Sequence, residues 1–432
     1  MNFFVGISRR SWHNITMKKY KIVTLGCRTN QYESQAFLDQ LKKKGYGEAS
    51  SGEEADLCIV NTCTVTQSAD HRSLYQIRKL AREYRPKRLV VTGCLAERSK
   101  KELEALDEVT DVVLNSEKEG LLPLIFPEES WPEFRIERFE AHTRAFVKIQ
   151  DGCNSYCSYC VIPFVRGRSR SKKTFEILQE IDALVDNGYK EVVLTGINIG
   201  DFGPDRLSDL VRQVDKIEGL ERIRISSIDP DEIDEDLLSA VIEGKKTCPS
   251  MHIVLQSGSN LTLKRMRRKY TRQDFLDAVK RLQKANPFFT VTTDIIVGFP
   301  GETEEEFQET LELMKEVLFA KVHMFPYSDR PKTRASRMPN KVPQEVIQER
   351  KARLLKVAEE NAYKLRNKWV GEEFSVLMET DGMGHTENFL PVHIPNQELK
   401  VNTLVKVKII DNTPEGFIGE NQADRKIQTL FA

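Results

Sequence analysis

The sequence predicts an α/β protein of three parts: an N-terminal doubly wound parallel sheet, a central partial (βα)6 barrel and a small C-terminal β-barrel. Short apolar segments typical of strands alternate with amphipathic stretches typical of helices as far as Phe325. Such alternation forms parallel sheets with helices on their faces. After Gly371 the helical stretches stop and short β-rich segments follow one another. The length of 432 residues is enough for two or three domains.

Three cysteines of the N-terminal part each stand at the end of a strand-like segment. They are Cys27, Cys63 and Cys94, and the segments are residues 21–27, 56–63 and 89–94. Their separations of 36 and 31 residues each match one strand–helix unit. Because parallel strands end at one edge of a sheet, where ligand sites form, we expect the three thiols to converge. Gly26 and Gly93 would let the backbone bend close to a bulky group there.

A single buried cysteine is most simply a small hydrophobic core residue. We assign Cys58, in the middle of its strand, to that role. Three cysteines at three strand ends favour a ligand set instead. A four-iron cluster has four corners and is normally held by four thiolates. Three thiolates would therefore leave one iron open to a ligand that is not protein.

A second, compact set of cysteines follows the strand-like segment 145–150. Cys153, Cys157 and Cys160 lie within Asp151-Gly-Cys-Asn-Ser-Tyr-Cys-Ser-Tyr-Cys160. A zinc site is the alternative, but zinc needs four ligands. The local loop has no fourth Cys or His, so Cys248 or His252 would have to be recruited from far along the chain.

The three-then-two spacing of this compact set resembles that of the radical S-adenosylmethionine (SAM) enzymes. The resemblance implies a four-iron cluster whose open iron binds the amino and carboxylate groups of SAM. It also implies that an electron from the cluster cleaves SAM to a 5′-deoxyadenosyl radical. Tyr159 matches the aromatic position that lies against the adenine in this family, and ordinary packing is the alternative for it.

Six strand-like segments from residue 145 onwards predict an open or partial barrel, two strands short of a complete one. They are residues 145–150, 191–195, 222–226, 251–255, 291–297 and 321–325. In barrels the edge at which the strands end carries the active site. Polar and glycine residues at that edge are therefore candidates to contact SAM, namely Thr195, Gly196, Asn198, Ser227 and Gln256. Any one of them can instead be an ordinary turn residue.

The C-terminal part begins with residues 343–366, which predict a long charged helix leading away from the barrel. Residues 374–378, 390–394 and 404–410 then predict a small antiparallel barrel. This part resembles the TRAM module, an RNA-binding domain of tRNA-modifying enzymes. Residues 371–432 hold ten acidic and five basic side chains. Net charge therefore does not draw RNA to this module.

The formal net charge of the chain is zero, with 65 basic and 65 acidic residues. RNA binding would consequently need local basic patches. Three basic runs closely follow barrel strands and could surround the active-site mouth, where they would suit an RNA stem-loop. They are residues 166–173, 264–272 and 330–334.

From about Lys18 to Glu420 the order of motifs resembles the radical SAM methylthiotransferase family. The matching motifs are residues 24–34, Asn61-Thr-Cys-Thr-Val-Thr66, Thr92-Gly-Cys94, Lys148-Ile-Gln-Asp-Gly-Cys153 and residues 293–303. Four segments look most like the branch that acts on threonylcarbamoyladenosine in tRNA: Asn30-Gln-Tyr-Glu-Ser34, Asn61-Thr-Cys-Thr-Val-Thr66, Gly196-Ile-Asn-Ile-Gly200 and Phe325-Pro-Tyr-Ser328. Two other branches modify isopentenyladenosine in tRNA and an aspartate of a ribosomal protein.

The resemblance implies methylthiolation of C2 of N6-threonylcarbamoyladenosine next to the anticodon. It implies two SAM molecules, one as methyl donor and one as radical source, and two 4Fe-4S clusters. Cys27, Cys63 and Cys94 would hold an auxiliary cluster that handles sulfur, and Cys153, Cys157 and Cys160 the cluster that binds SAM. The implied partners are the tRNA anticodon stem-loop and an electron donor such as flavodoxin or ferredoxin.

The predicted domains are a leader (1–16) that we expect to be disordered, the auxiliary-cluster domain (17–130), the radical SAM core (139–369) and the TRAM-like barrel (371–432). The leader lacks the apolar core of a signal peptide and no apolar run approaches the ~20 residues of a membrane span. We therefore expect a cytoplasmic protein whose thiols stay reduced and bind metal. Three alternatives remain open: the same methylthiolation on a ribosomal-protein aspartate or on isopentenyladenosine in tRNA, a non-catalytic zinc-bound RNA-binding protein, and an enzyme whose first cluster only relays electrons.

Overall fold

The structure is a computed structural model that describes residues 17–140, 142–203, 205–395 and 398–422. Its sheets confirm the predicted α/β class: two parallel sheets followed by a small closed barrel. The predicted leader and residues 423–432 of the predicted C-terminal module lie outside the described residues. Within the described ranges, no helix has the length and apolar character needed to cross a membrane.

The N-terminal sheet has five parallel strands. These are β1 (Lys19–Thr24), β2 (Gly47–Glu48), β3 (Leu57–Thr62), β4 (Arg88–Gly93) and β5 (Asp111–Val112). Their helices are α1 (Arg28–Lys43), α2 (Gln67–Tyr84), α3 (Cys94–Arg98), α4 (Lys100–Glu104) and α5 (Leu121–Ile125). The strand order is β2-β1-β3-β4-β5. In doubly wound sheets of this order, ligands bind where the order reverses, which here is between β1 and β3.

Both faces of this sheet are covered, as its uninterrupted apolar strands require. Successive side chains of a strand point to opposite faces. Ile59 of β3 packs with Phe37 of α1 on one face, and Val60 packs with Ile77 of α2 on the other. Cys58 is fully buried in the second of these cores. The prediction that Cys58 is a core residue is therefore confirmed.

The central sheet has six parallel strands in the order β6-β9-β10-β11-β12-β13. They are β6 (Arg144–Lys148), β9 (Glu191–Thr195), β10 (Arg222–Ile228), β11 (Thr247–Ile253), β12 (Thr290–Val297) and β13 (Lys321–Pro326), and a two-residue pair, β7 (Gln150–Asp151) and β8 (Arg170–Ser171), lies beside them. The helices are α6 (Ile162–Val165), α7 (Thr174–Asp186), α8 (Leu207–Val214), α9 (Glu235–Glu243), α10 (Asn260–Met266), α11 (Arg272–Ala285) and α12 (Glu304–Val317). The six-stranded partial barrel is therefore confirmed.

The long helix α13 (Gln344–Asn367) corrects one prediction, because it does not lead away from the barrel. It packs against β13 and α12, and its Leu354 is buried in the same core as Phe307 of α12. The Asn361 Nδ2 group donates a 2.7 Å hydrogen bond to the carbonyl of Met314. Because the sequence of α13 is highly charged, the few apolar positions by which it packs against β13, the edge strand of the sheet, were not recognised.

The C-terminal part is a closed five-stranded barrel in the order β14-β15-β16-β18-β17. Its strands are β14 (Glu373–Thr380), β15 (Met383–Thr386), β16 (Pro391–His393), β17 (Leu404–Asn412) and β18 (Phe417–Asn421). The prediction of a wholly antiparallel barrel is wrong, since β16 and β18 pair in parallel. The sequence analysis missed β15 and β18, which are short and each contain a glycine, Gly384 and Gly419, a residue that weakens the sequence pattern of a strand. A Cβ at Gly419 would lie 3.0 Å from the Val392 side chain, so the strands pack closely there.

This barrel docks on the end of the central sheet where the strands begin. Arg222, at the start of β10, donates to the Ser375 carbonyl at 2.6 Å. Arg224 donates to the carbonyls of Thr386 and Glu387 at 3.0 and 2.9 Å. The opposite edge of the sheet, where the strands end, is thus left for the cysteines.

Candidate active site

The three dispersed cysteines lie together at the edge of the N-terminal sheet. Cys27 precedes α1, Cys63 follows β3, and Cys94 begins α3 directly after β4. Gly26 has a φ of +98°, and a Cβ built on it would lie 2.8 Å from Cys63 Cβ and 3.0 Å from its Sγ. This is the close approach for which the sequence analysis invoked glycine. The three thiols flank the point at which the strand order reverses.

The pKa values of the Cys63 and Cys94 thiols are raised because these thiols are buried close to one another. Burial raises the pKa of Cys63 to about 11, and the neighbouring Cys94 and Cys27 sulfurs add to the shift. Burial likewise raises the pKa of Cys94, against the opposing influence of Arg166 and Lys118. Metal ligation requires thiolates, so binding of a metal centre here would release protons.

A buried ion network supports this edge from the side of the central sheet. Arg166 Nη1 lies 3.1 Å from Glu33 Oε1 and 2.8 Å from Asp151 Oδ1. Lys118 Nζ lies 2.6 Å from Glu33 Oε2. Asn115 Nδ2 donates to the Val165 carbonyl at 2.6 Å and lies 3.7 Å from Cys94 Sγ. The network therefore ties the first cysteine set to the loop that follows the second.

The basic runs read from the sequence consequently divide into buried and exposed residues. Arg166, Arg268 and Arg330 are almost wholly buried and paired with carboxylates, which removes them from any RNA-binding surface. Arg330 Nη2 lies 2.7 Å from Asp70 Oδ2, so it joins the central part to the N-terminal domain. Local sequence gives no signal for such long-range pairs.

The compact cysteines lie on a loop whose polar groups point at sulfur. The backbone N–H groups of Ser155 and Ile162 lie 3.4 Å from the Sγ atoms of Cys153 and Cys160 respectively. Arg268 Nη1 lies 3.0 Å from Cys157 Sγ. Hydrogen bonds to cluster sulfurs are one of the means by which proteins tune such centres.

The three compact thiols lie close enough to influence one another's ionisation. Burial raises the pKa of Cys160 to about 12, with further contributions from the Cys157 and Cys153 sulfurs. In the described part of the chain, no three His, Cys, Asp or Glu side chains stand at the spacing that holds a single metal ion. A four-iron cluster spreads its thiolates over different irons, so it needs a wider set than one ion does.

A cavity of about 190 Å³, here called the mouth cavity, lies beside the compact cysteines. Val65 and Thr66, just after Cys63 of the first set, line it, as do Tyr159, Cys160 and Val161. The remaining lining residues come from β12, β13 and the loops that follow β11 and β13: Gln256, Asp294, Ile296, Phe325, Pro326, Tyr327 and Ser328.

Gln256 is the most unusual of the predicted candidates. It has a φ of +65°, rare for a residue other than glycine. Its backbone N–H donates to the Asp294 carbonyl at 2.8 Å, which fixes this conformation. Its side-chain Oε1 is buried and has no hydrogen-bond partner in the described part of the chain. A buried acceptor without a donor is costly, so a ligand donor would suit it.

Of the other predicted candidates, Tyr159 also lines the mouth cavity, whereas Thr195, Gly196, Asn198 and Ser227 lie on the same edge without lining it. Thr195 is almost fully buried, with Oγ1 3.5 Å from Ser226 Oγ, and Ser227 beside it is half-buried. A Cβ on Gly196 would lie 2.8 Å from Gln150 Oε1. The same Gln150 oxygen accepts the backbone N–H of Asn198 at 3.0 Å. Sequence reasoning missed Gln150, although it lies just past the end of β6.

An acidic corner that the sequence analysis also missed adjoins Asn198. Asn198 Nδ2 donates to Glu232 Oε1 at 2.9 Å. Burial, together with the nearby Asp229 carboxylate, raises the pKa of Glu232 to about 7. Asp229 is itself ion-paired with Arg268, the residue that contacts Cys157. The corner thus offers carboxylates close to the compact cysteines.

Comparison with known proteins first defines the class. The sequence profile described as Uncharacterized protein family UPF0004 matches residues 19–115, and that of the Radical SAM superfamily matches residues 147–314. A solved radical S-adenosylmethionine methyltransferase, TsrM from Kitasatospora setae, has a TM-score of 0.55 with this chain and covers 74% of each chain at 12% identity. At that identity the likeness shows the fold alone. The fold and the matched profile define a radical SAM enzyme.

Whole-chain relatives then define the family. A threonylcarbamoyladenosine tRNA methylthiotransferase MtaB of Chlamydia pneumoniae is 49% identical over 410 residues, covering 93% of this chain and 97% of its own length. A tRNA-2-methylthio-N(6)-dimethylallyladenosine synthase of Alkaliphilus oremlandii is 34% identical and covers 91% and 90%. The chain belongs to the radical SAM methylthiotransferase family, in its MtaB branch. It is therefore a transferase that uses SAM and a 4Fe-4S cluster.

Proposed function

We propose that the protein transfers a methylthio group to C2 of N6-threonylcarbamoyladenosine, beside the anticodon of tRNA. The observation that supports the chemistry is that one cavity, the mouth cavity, is lined both by Cys160 of the compact set and by Val65 and Thr66, which closely follow Cys63 of the dispersed set. The higher identity to the MtaB relative than to the dimethylallyladenosine synthase, 49% against 34%, supports the choice of adenosine.

Residues 139–369 form the radical SAM core in this proposal, with Cys153, Cys157 and Cys160 as ligands of the SAM-binding cluster. Held by these residues, SAM and the cluster would supply the radical chemistry needed to remove the hydrogen of an aryl C–H bond, which no positioned base can reach. Tyr159 and Gln256 line the same cavity and would hold the adenine side of SAM. The buried Gln256 Oε1, which has no hydrogen-bond partner among the described residues, could accept a hydrogen bond from it. Thr195, Gly196, Asn198 and Ser227 would bind its more polar groups.

Residues 17–130 form the auxiliary-cluster domain, and Cys27, Cys63 and Cys94 would hold the second cluster, which handles sulfur. Three thiolates again leave one iron open to a ligand that is not protein. Two SAM molecules are then used per product, one as methyl donor and one as radical source. An electron donor such as flavodoxin or ferredoxin would reduce the clusters.

The surface around the mouth cavity suits a single-stranded RNA loop. Val65 and Phe325 line the cavity and are 48% and 43% exposed, and Phe164, just after the compact cysteines, is 54% exposed. Exposed aromatic faces stack unpaired bases, and an anticodon loop can turn a base out more easily than a duplex can. Exposed cations of the basic runs, such as Lys173 and Arg267, would contact phosphates. The TRAM-like barrel, residues 371–432, docks at the other end of the central sheet, where the strands begin, and would contact a part of the tRNA away from the anticodon loop.

Mass spectrometry of tRNA nucleosides tests the proposed substrate. In cells that lack this protein we expect the methylthio form of threonylcarbamoyladenosine to disappear and the unmodified threonylcarbamoyladenosine to accumulate. Methylthio-isopentenyladenosine should be unchanged, which provides the internal control. Loss of the isopentenyl product instead, or turnover on a ribosomal-protein aspartate alone, would refute the proposed substrate.

Metal analysis of anaerobically purified protein tests the two-cluster assignment. We expect about eight irons per chain, because each of the two cysteine sets would hold four. A variant with all three compact cysteines replaced should keep about four. Stoichiometric zinc without SAM cleavage under reducing conditions would favour the non-catalytic RNA-binding alternative.

A further inference from the structure

A second cavity, here called the lumen cavity, lies inside the half-barrel and has a volume of about 220 Å³. Phe146, Val193, Ile225, His252 and Thr292 line it from five successive strands of the central sheet. Arg28 of the N-terminal domain and Phe389 of the C-terminal barrel also line it, so all three parts of the chain contribute. The cavity holds several times the ~30 Å³ that one water occupies in the liquid.

The lumen cavity is strongly basic. Arg28, Arg144 and Arg224 all line it. The guanidinium groups of Arg144 and Arg224 lie 4.9 and 4.7 Å from the centre of the Phe389 ring. Both also approach the buried Glu191 carboxylate, at 3.6 and 2.6 Å. These two arginines therefore have an anionic partner within the protein.

Arg28 forms no salt bridge in the described part of the chain. Its only hydrogen bond there is a long one of 3.4 Å from Nη1 to Ser226 Oγ, and its guanidinium lies 5.4 Å from the centre of the Phe146 ring. Burial and the charges of Arg144 and Arg224 lower the pKa of Arg28, and the Asp294 carboxylate opposes them only in part. The Nη1 group of Arg144 is buried and has no hydrogen-bond partner there, although Glu191 Oε1 lies 3.6 Å away. A cation held away from water without a counter-charge is unfavourable. The cavity is thus built to receive an anion.

The lumen cavity adjoins the mouth cavity. His252 lines the first and Asp294 lines the second, and His252 Nε2 lies 3.4 Å from Asp294 Oδ1. Arg28 directly follows Cys27, a proposed ligand of the auxiliary cluster. A substituent on a base placed between the two cysteine sets could therefore reach into the lumen cavity.

We propose that the lumen cavity binds the free carboxylate of the threonyl group on the substrate adenosine, with Arg28 as its main ionic contact. This inference rests on the proposed function. A guanidinium and a carboxylate form strong, charge-assisted hydrogen bonds. Ser250 and Thr292 line the same cavity and can hydrogen-bond the threonyl hydroxyl. An isopentenyl group has neither anion nor hydroxyl, so it would leave Arg28 unpaired, and Arg28 would be a specificity-determining residue.

The test compares two synthetic anticodon stem-loops, one with the natural threonyl carboxylate and one with its neutral carboxamide. We expect the wild-type enzyme to lose about 10- to 100-fold in kcat/KM on the carboxamide, mainly through KM, as for one charged hydrogen-bonding contact. Arg28→Gln should lose a similar factor on the carboxylate and little more on the carboxamide. Arg28→Lys keeps the charge and should lie between. The iron content of each variant shows whether the neighbouring Cys27 still binds its metal.

Equal wild-type turnover of the two stem-loops would overturn this inference while leaving the proposed function intact. An Arg28→Gln penalty of the same size on both stem-loops would also overturn it, since the charge of the substrate would then not matter. No wild-type turnover of either stem-loop, with turnover of an isopentenyladenosine stem-loop, would reject the proposed function and this inference together. The wild-type comparison needs no variant, so it decides the matter even if Arg28→Gln loses iron.

Discussion

Replacing Cys27, Cys63 and Cys94 with alanine is expected to abolish methylthiolation and to leave SAM cleavage in place. In the proposed function the compact cysteines and Tyr159 hold the cluster and the SAM that is cleaved, and they follow β6 and β7 of the central part, so cleavage is not expected to need the first cysteine set. Methylthiolation should fall below about 1% of wild type, beyond the ~10- to 100-fold usual for residues that only support metal ligands. Product and 5′-deoxyadenosine, measured in the same anaerobic reaction, give the two readings.

Cys58→Ala is the matched control for this experiment. Cys58 belongs to the same sheet, is fully buried, and lies in mid-strand away from the edge. Its replacement should destabilise the protein by about 1 kcal/mol, a typical value for a point mutation, and leave methylthiolation nearly intact. If the triple variant also loses SAM cleavage, the first cluster relays electrons to the second and does not handle sulfur.

The position of the first cysteine set could be predicted because it depends on a local pattern. Strands alternating with helices make a parallel sheet, and parallel strands all end at one edge. It was enough to recognise that each cysteine stands at the end of a strand. The same argument placed Thr195 and Gln256 on the active edge of the central sheet. It could not say that Gln256 alone of the two lines the mouth cavity, because that depends on the path of the loop after β11.

The contacts between the domains could not be predicted, because their partners are distant in the sequence. Arg166 was read as part of an exposed basic run, yet it pairs with Glu33, 133 positions earlier. Nothing in the local sequence marks Arg28, which follows Cys27, as a residue that lines the lumen cavity of the central sheet. In the C-terminal barrel, β15 and β18 contain glycines and have weak strand patterns, and they form strands because they complete the closed barrel. Long-range charge pairing and barrel closure leave no periodic signal in the chain.

Glu33→Gln is expected to have the second large effect, on stability and on activity together. The Glu33 side chain is 2% exposed and lies among Arg166, Lys118 and Lys148, at 3.1, 2.6 and 3.6 Å. Removal of its charge leaves these cations buried without their shared counter-ion. Breaking a buried ion pair in this way costs about 3–5 kcal/mol. Because the network joins the two cysteine edges, methylthiolation should fall as well.

The pH dependence of the free energy of unfolding provides an independent test of the same ion network. Burial alone would raise the pKa of Glu33, but Arg166, Lys118 and Lys148 outweigh it and hold that pKa well below its usual value of 4.5. A carboxyl whose pKa is lower in the folded state contributes stability above its unfolded pKa, and the contribution is lost as the pH falls toward the folded pKa. The wild type should therefore lose stability on acidification below about pH 4.5 more steeply than Glu33→Gln.

Glu119→Gln provides the matched control, since Glu119 pairs with Lys148 at 2.9 Å but is 63% exposed. Surface ion pairs contribute only about 0–1 kcal/mol, so this variant should unfold close to the wild-type denaturant midpoint. Equal midpoints for Glu33→Gln and Glu119→Gln would show that the buried network does not stabilise the fold. A stable Glu33→Gln that nevertheless loses methylthiolation would instead show that Glu33 acts by positioning the two cysteine edges.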